Sequence, residues 1–401
     1  MTASEKLLEE LCKHTFLSMW SHPNPIRADS QKELCDLLVV NKPYLLIFSV
    51  KAVDIDQGID FTVAADRWMR KAIQDSAKQL YGAERAISRG VEIVSADKSH
   101  AILIDDFHKY KTFRMAVAIG RGDRFPLIYG NLGKGFVHTF DEVSLPIILG
   151  ELDTVSEFAE YLSAKESYFL KGKSLISDGE ENMLAVYLNS GRKFPDSHDV
   201  LVIEAEAWNQ FTKKEEVIRK KKEDAESYIW DDILNEFYRD HKDGILYHRE
   251  GFHDMEYGLR IMSKESRFGR RILSHELLDL IGFFGKPTAK SRILSSHADI
   301  TYVYLLGPHD ESDREFRIQE LQLRCLVARS IIKNQPIVIG LATNPYVKGG
   351  GHSYDLCFME INEWTEEKER KANQIKEELG YFRQMVTKSA GYDEYPTIKA
   401  T

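Results

Sequence analysis

A chain of 401 residues is too long for one ordinary hydrophobic core, so two or three domains are expected. Its 43% hydrophobic and 29% charged residues describe a globular protein and exclude a disordered or fibrous one. The formal net charge of −9 excludes a basic protein that coats nucleic acid indiscriminately. An enzyme that cuts nucleic acid is not excluded, because it needs only a local basic track beside clustered carboxylates.

Targeting and cysteine patterns point to the cytoplasm. No apolar run approaches the roughly 18 residues of a membrane span, and the N-terminus enters a helical pattern without the apolar core of a signal peptide. The four cysteines are widely separated and form no CxxC pair, which predicts free thiols rather than a zinc knuckle or a disulfide framework. We therefore expect a cytoplasmic protein that does not contact a membrane.

The first 150 residues follow the order helix, strand pair, long helix and short strands. Apolar side chains recur at helical spacing over residues 4–20. Nearly continuous apolar runs predict central strands, buried on both faces, at 33–40 and 44–51, and a long helix follows over 61–88. This order predicts an α/β domain over residues 1–150. Short strands are expected at 91–95, 101–104, 115–119 and 127–129.

The remaining residues, 151–401, predict a second, α+β domain with its own core. A charge run opens the helical stretch over residues 213–240, which is the candidate linker. The later helices are expected over 316–333 and 365–380, and the later strands over 300–306, 337–342 and 356–361.

Two charges stand out in the apolar strand pair. Asp36 and Lys51 are isolated within the apolar bodies of the two strands, where burying a charge is costly. Residues two apart on a strand share a face, so Ser49 and Lys51 point together and Asp36 can meet them from the neighbouring strand. Phosphodiester hydrolysis with Mg²⁺ needs carboxylates on the metal and a cation near the attacking water. A buried structural ion pair is the alternative, although it would stabilise the fold inefficiently.

At these residues the sequence resembles the PD-(D/E)XK nuclease superfamily. The matched pattern is Asp36-Leu-Leu-Val-Val, a short turn, and Leu46-Ile-Phe-Ser-Val-Lys51, between a helix that carries Glu5 and the long helix. The resemblance covers about residues 3–90 and implies a restriction-endonuclease-like mixed sheet flanked by helices. It also implies that Asp36 binds Mg²⁺ or Mn²⁺ and that Lys51 orients the attacking water or stabilises the developing negative charge.

One position departs from the family pattern. Ser49 replaces the second acid of the (D/E)xK element, so either another acid completes the metal site or the domain does not cut. Many members of this superfamily supply a glutamate from the first helix. At 100° per residue, Glu5 lies about 70° from the centre of the apolar face and Glu10 lies nearly opposite. Glu5 is therefore the expected second metal ligand, and Ser49 would at most position a metal-bound water.

Two groups of side chains are candidate contacts to nucleic acid. One group lies on the long helix, where exposed polar residues of an amphipathic helix are the alternative. The other lies in residues 264–292, where seven basic and three acidic residues leave a local charge of +4; a solvated surface is the alternative there. The candidates are Gln74, Lys78 and Gln79 on the helix, and Arg267, Arg270 and Arg271 in the second part.

These features together predict an Mg²⁺-dependent nuclease that cuts DNA, with a C-terminal module that selects the substrate or gates activity. The chain has no Walker A motif and therefore no motor of its own. By analogy, a two-domain nuclease without its own motor suits restriction or phage defence. Such an enzyme would act as a homodimer or beside a protein partner. Two other hypotheses stay open: a degenerate nuclease fold that binds nucleic acid or a partner without cleavage, and a regulatory protein that acts through its C-terminal part.

Overall fold

The structure is a computed structural model that divides into two compact units, Met1–Ile218 and Arg219–Thr401. Both units contain helices and strands, which confirms the α/β class. Within the described ranges, every helix is too short or too polar to span a bilayer. The residues described are 3–53, 60–120, 125, 127–244, 252–286, 289–296, 298–307, 314–346, 348, 351–383 and 391–396.

The first unit combines a mixed sheet with helices on both faces. Its helices are α1 (Ala3–Phe16), α2 (Phe61–Trp68), α3 (Asp75–Ser88), α4 (Ser144–Glu151), α5 (Val155–Leu170), α6 (Glu180–Asn189) and α7 (Ala207–Thr212). Its strands are β1 (Ser21–Pro23), β2 (Ile26–Arg27), β3 (Leu37–Asn41), β4 (Tyr44–Ala52), β5 (Ile93–Val94), β6 (Lys111–Ile119), β7 (Gly130–Asn131), β8 (Phe136–Asp141), β9 (Ser174–Ile176) and β10 (Val200–Val202).

The long helix expected over residues 61–88 is present, with one irregularity. A π-helical segment, Met69–Gln74, joins α2 to α3 without a break in the helix. Such segments are rare and occur frequently at functional sites. The helix begins at Asp60, whose side chain accepts a hydrogen bond from the main-chain N–H of Thr62.

The main sheet has the strand order β1-β3-β4-β6-β8-β7 among the described residues. β3 and β4 form an antiparallel pair, whereas β4, β6 and β8 run parallel to one another. The carboxyl ends of the three parallel strands therefore meet at one edge of the sheet. The mixed sheet flanked by helices that was predicted for this part of the chain is confirmed.

The two faces of the sheet are covered by different helices. Leu38 and Ile47, which are paired across β3 and β4, pack with Leu80 of α3 in one cluster. Phe48 points to the opposite face, where its ring contacts Phe16 of α1 at 6.3 Å between centroids. Since alternate strand residues share a face, Ser49 and Lys51 belong to the face that α3 covers.

The first unit continues past residue 150 because α4 and α5 complete its core. The ring of Phe158 contacts Phe16 at 5.4 Å and Phe140 at 6.1 Å between centroids. The Thr15 hydroxyl donates a hydrogen bond to the carbonyl of Leu149 at 3.2 Å. The first compact unit extends to Ile218, and the change in sequence texture near residue 150 falls inside it.

Two of the short strands expected in the first unit do not form. Residues 101–104 contribute only a single bridge, between Ala101 and Val94, and Leu103 is 71% exposed. Residues 127–129 precede β7 and lie outside it. A short apolar run without regular alternation did not distinguish a strand from a loop in these places.

The second unit is built around a four-stranded sheet. α8 (Glu215–Glu223) crosses the boundary, within the stretch expected to be a linker. The helices that follow are α9 (Tyr228–Lys242), α10 (Phe252–Ser263), α11 (Arg267–Ile281), α12 (Arg314–Ile331) and α13 (Glu366–Leu379). The strands are β11 (Ser291–Ser295), β12 (Ile300–Leu306), β13 (Ile337–Thr343) and β14 (Asp355–Glu360).

A parallel pair forms the centre of this second sheet. β12 and β13 are parallel and are connected through α12, while β11 and β14 flank them antiparallel. Leu321 and Cys325 of α12 pack against the apolar side chains of the parallel pair, including Val303 and Val338. The later strands thus occupy the positions that their apolar runs predicted.

Candidate active site

Asp36 occupies the last position before β3 and is only 7% exposed. Its main-chain N–H donates to the carbonyl of Phe48 at 3.1 Å, which extends the β3–β4 ladder by one bond. One carboxylate oxygen, Oδ2, accepts a hydrogen bond from the main-chain N–H of Val50 at 2.7 Å. A carboxylate held by a main-chain donor has a fixed orientation, so Asp36 is anchored at the carboxyl end of β4.

Ser49 faces Asp36 across the strand pair. Leu37 pairs with Phe48, so the next position of the register sets Asp36 opposite Ser49. The Ser49 side chain is fully buried, and its hydroxyl donates to Oε1 of Gln79 on α3 at 2.9 Å. Gln79, which the sequence suggested as a phosphate contact, therefore ties α3 to β4 at this point.

Lys51 brings a cation to the same edge. It is half-buried near the end of β4, on the same strand face as Ser49. Burial raises the pKa of Asp36, whereas the positive charge of Lys51 lowers it. Lys51 also lowers the pKa of Glu33. The pKa of Asp75, at the start of α3, is lowered chiefly by Lys78 and also by Lys51. The Lys51 ammonium is therefore within electrostatic range of two carboxylates that precede β3 and of one on α3.

Three carboxylates from two parts of the chain lie within electrostatic range of one another. The pKa of Asp36 is raised mainly by burial; the Val50 N–H and Lys51 oppose the rise, and Glu5 of α1 adds to it. The pKa of Glu33 is raised by partial burial, then by Asp36 and Glu5. Glu5 of α1 thus lies within electrostatic range of Asp36.

Glu33 is a functional candidate that the sequence analysis did not single out. It lies in the loop before β3 and is exposed. In a regular strand, residues 33 and 36 would point to opposite faces, so strand periodicity gave no reason to group Glu33 with Asp36. The strand begins only at Leu37, and the loop conformation brings both acids to the same edge.

The donor chemistry of this edge suits a hard divalent cation. Mg²⁺ prefers carboxylate oxygens, keeps several waters and needs only one or two protein carboxylates. Asp36 and Glu5 would hold such an ion, and its charge would relieve the repulsion among the three acids. Within the part of the chain that the structure describes, no group of three or more His, Cys, Asp or Glu side chains is preassembled around a metal position.

A groove of about 800 Å³ runs along the long helix, from Met69 to Ser88. Gln74 and Lys78, two of the suggested nucleic-acid contacts, are exposed and line this groove. Gln79 lies about 100° further around the helix from Lys78, toward β4, and does not line the groove. The apolar floor includes Ile73, Ala77 and Leu132, and the cations of the lining are Lys78, Arg85 and Lys134.

The arginines at the start of α11 form a buried cluster rather than the expected basic surface. Arg267, Arg270 and Arg271 are only 2%, 1% and 6% exposed. Nη1 of Arg267 lies 2.7 Å from Oδ2 of Asp231, which also pairs with Arg270, and Nη1 of Arg271 lies 3.2 Å from Oδ1 of Asp224. The local charge of +4 was misleading because these acids lie about 40 residues earlier in the chain. The three arginines therefore do not belong to an exposed basic surface.

The structure thus brings six polar side chains to one edge of the first sheet. They come from α1, the loop before β3, β4 and α3, and two of them, Ser49 and Gln79, bind each other. The six are Glu5, Glu33, Asp36, Ser49, Lys51 and Gln79. No family model matches the chain, and no curated protein or solved structure matches it either.

Proposed function

We propose that this chain is a cytoplasmic, Mg²⁺-dependent nuclease of the PD-(D/E)XK type that hydrolyses phosphodiester bonds in DNA. The observation that carries the proposal is that Glu5, Glu33 and Asp36 lie within electrostatic range of one another and that Lys51 acts on Glu33 and Asp36. Mutually repelling carboxylates beside a lysine stabilise the fold poorly, but they suit binding of a cation and a phosphate. The order helix, antiparallel strand pair, long helix and parallel strand also supports it, since the resemblance implies that order.

Each residue of the edge has a distinct role in this proposal. Asp36 and Glu5 would hold the Mg²⁺, and the Val50 N–H keeps the Asp36 carboxylate oriented. When bound, the ion would supply Lewis acidity at the phosphate and would promote ionisation of the attacking water. Lys51 orients the attacking water and stabilises negative charge on the phosphate oxygens. Ser49 fixes the separation of β4 and α3 through Gln79.

Cleavage of supercoiled plasmid, single-stranded DNA and RNA by purified protein tests the proposal. Nicking that requires Mg²⁺ or Mn²⁺ and stops in EDTA is the expected result. Failure of the wild-type protein to cleave any of the three substrates would contradict it. Restriction or phage defence remains part of the proposal by analogy only.

The second candidate function is a nuclease fold that binds nucleic acid without cutting. The observation that favours it is Ser49, because a buried serine bound to Gln79 stands where the family has an acid. The two functions differ in whether a divalent ion binds at Asp36.

Mg²⁺ is expected to raise the melting temperature of the wild-type protein but not that of Asp36→Asn. An ion that binds only the folded state at 100 times its Kd adds about 2.7 kcal/mol of stability. The raised pKa of Asp36 adds a pH dependence, because protons compete with the metal. The Mg²⁺ effect should therefore be constant well above that pKa and should decline as the pH falls through it. Thermal unfolding across a pH series measures both.

The control is Asp29→Asn, an exposed acid in the loop before β3. Without metal, the raised pKa of Asp36 means that the folded protein favours the protonated carboxyl. The resulting contribution of Asp36 to the free energy of unfolding is fully present below the unfolded pKa and is lost as the pH rises through the folded pKa. Asp36→Asn should thus be at least as stable as wild type at neutral pH in EDTA. An equal Mg²⁺ shift in wild type and Asp36→Asn would place the ion elsewhere and favour the non-cutting candidate.

The groove along the long helix is expected to hold part of the DNA backbone. The double variant Arg85→Ala/Lys134→Ala removes two exposed cations of its lining. Binding should weaken about equally for all sequences, and the slope of log K against log salt should fall by about 1 for each lost phosphate contact. Arg89→Ala, an exposed arginine beyond the groove, is the control. Unchanged salt slopes in the double variant would exclude this path for the backbone.

A further inference from the structure

Seven ring side chains of the second unit form a continuous series of contacts. At its centre, Phe283 contacts Phe284 at 5.3 Å and Tyr346 at 5.0 Å between ring centroids. From Tyr346 the series continues through stacked contacts to two further rings, and from Phe284 it continues to two more. We call this set the aromatic ladder; in spatial order its members are Tyr354, His352, Tyr346, Phe283, Phe284, His275 and Tyr392.

The middle of the aromatic ladder is open to solvent. Phe283 is 48% exposed, Phe284 50% and Tyr346 38%. Rings that contact one another to build a core are normally buried, as Trp230 and Tyr302 of the same unit are. Contiguous exposed apolar surface in a folded protein marks an interaction site.

The position of the aromatic ladder in the fold gives an independent reason to expect a ligand. Phe283 and Phe284 precede β11, whose first residue pairs with the end of β12, and Tyr346 follows the end of β13. The two segments are joined by a hydrogen bond from the Tyr346 N–H to the carbonyl of Ile281, at 2.9 Å. The ladder thus lies at the carboxyl edge of the parallel strands, where open α/β sheets bind their ligands.

The charges beside the aromatic ladder favour an anionic ligand. Lys286 follows Phe284 by two residues and Lys348 follows Tyr346 by two, and both lysines are exposed. Glu276 and Asp279, near one end of the ladder, both pair with Arg292. Asp232 and Glu236 lie within electrostatic range of Tyr354 at the other end, away from the exposed rings at the centre. Two exposed lysines therefore lie within two residues of the exposed rings, in a chain whose formal net charge is −9.

We propose that the aromatic ladder binds single-stranded nucleic acid. Unpaired bases stack on Phe283, Phe284 and Tyr346, while Lys286 and Lys348 contact the phosphates, which is the combination that single-strand binding requires. The inference shares only its class of ligand with the proposed function. It concerns a different unit of the chain, and binding at the ladder requires no cleavage.

Binding of labelled 20-nucleotide strands to the full chain in EDTA tests the inference. The probes are oligo(dT), oligo(U) and an abasic strand with the same number of phosphates, and fluorescence anisotropy gives the Kd. The triple variant Phe283→Ala/Phe284→Ala/Tyr346→Ala should bind oligo(dT) about tenfold more weakly, or worse, since stacking contributes to each bound base. It should also lose the preference of the wild-type protein for oligo(dT) over the abasic strand. Comparison of oligo(dT) with oligo(U) distinguishes DNA from RNA as the ligand.

The control is Phe316→Ala, which removes a ring that is 62% exposed in the same unit but outside the aromatic ladder. If the triple variant fails to fold by circular dichroism, the double variant Lys286→Ala/Lys348→Ala replaces it, with weaker binding and a smaller salt slope expected. Equal Kd values for wild type and the folded variant would overturn the inference. Absence of binding to every strand would also overturn it and would assign the ladder to a protein partner.

The two proposals can fail separately. Lys42→Ala should bind oligo(dT) as tightly as the wild-type protein, because Lys42 pairs with Asp105 and belongs neither to the aromatic ladder nor to the proposed active site. If the protein binds single strands through the ladder rings but cleaves no substrate, the proposed nuclease activity is refuted and the proposed binding by the ladder is supported. If cleavage depends on Lys51 but the ladder rings contribute nothing to binding, the nuclease activity is supported and the binding by the ladder is refuted.

Discussion

Lys51→Ala should reduce metal-dependent cleavage of supercoiled plasmid by about 10²–10³-fold, the effect of removing one group that stabilises transition-state charge. The positive charge of Lys51 acts to lower the pKa of Glu33, Asp36 and Asp75, so the ammonium is within electrostatic range of all three carboxylates. Its loss removes positive charge from the place where negative charge develops on the phosphate. The measurement is the initial rate of nicking in Mg²⁺, followed on gels.

Two companion variants separate binding of the metal from assistance by the lysine. Asp36→Asn and Glu5→Gln keep the size of each side chain but remove a carboxylate, so the Mg²⁺ concentration needed for half-maximal cleavage should rise. Lys42→Ala is the control, because this lysine lies at the other end of the same strand pair and forms a partly exposed ion pair with Asp105 at 2.6 Å. Cleavage by Lys51→Ala at the wild-type rate would remove Lys51 from the mechanism.

Asp231→Ala should destabilise the second unit by about 3–5 kcal/mol, because removing one partner of a buried ion pair leaves uncompensated charge inside the protein. Two buried arginines, Arg267 and Arg270, share this carboxylate. Some of their other bonds remain, including one from Nε of Arg270 to the carbonyl of Glu265 at 3.0 Å. Denaturant unfolding, followed by circular dichroism, measures the loss.

A neighbouring aspartate provides the matched control for this prediction. Asp232 follows Asp231 on α9 but is exposed, so Asp232→Ala should change stability by less than about 0.5 kcal/mol. Asp231→Asn keeps hydrogen-bond acceptors and should fall between the two. If Asp231→Ala unfolds with the wild-type midpoint, the arginine cluster does not hold this unit together.

Local patterns in the sequence were sufficient to predict the elements that carry the site. The apolar run of residues 44–51 became β4 with one residue added, and its alternation placed Ser49 and Lys51 on one face. The second-unit strand expected over 300–306 is β12 without change. Thr365, whose side chain accepts from the Lys368 N–H, and Gly380, in the left-handed conformation, bound α13 where the sequence suggested a helix. These features depend on residues within a few positions of each other, whose spacing is visible in the chain.

Only the tertiary structure decided which distant charges meet. The sequence suggested Glu5 as the partner of Asp36, but Glu33 joined them because the chain before β3 is a loop and not a strand. Gln79 turned toward Ser49, 30 residues away. The arginines of α11 pair with Asp224 and Asp231, so the three side chains expected to form a basic surface are buried in ion pairs. Helix and strand periodicity depends on residues that are neighbours along the chain. Whether a charged side chain is paired depends on which distant residues pack beside it, and the local sequence does not specify those residues.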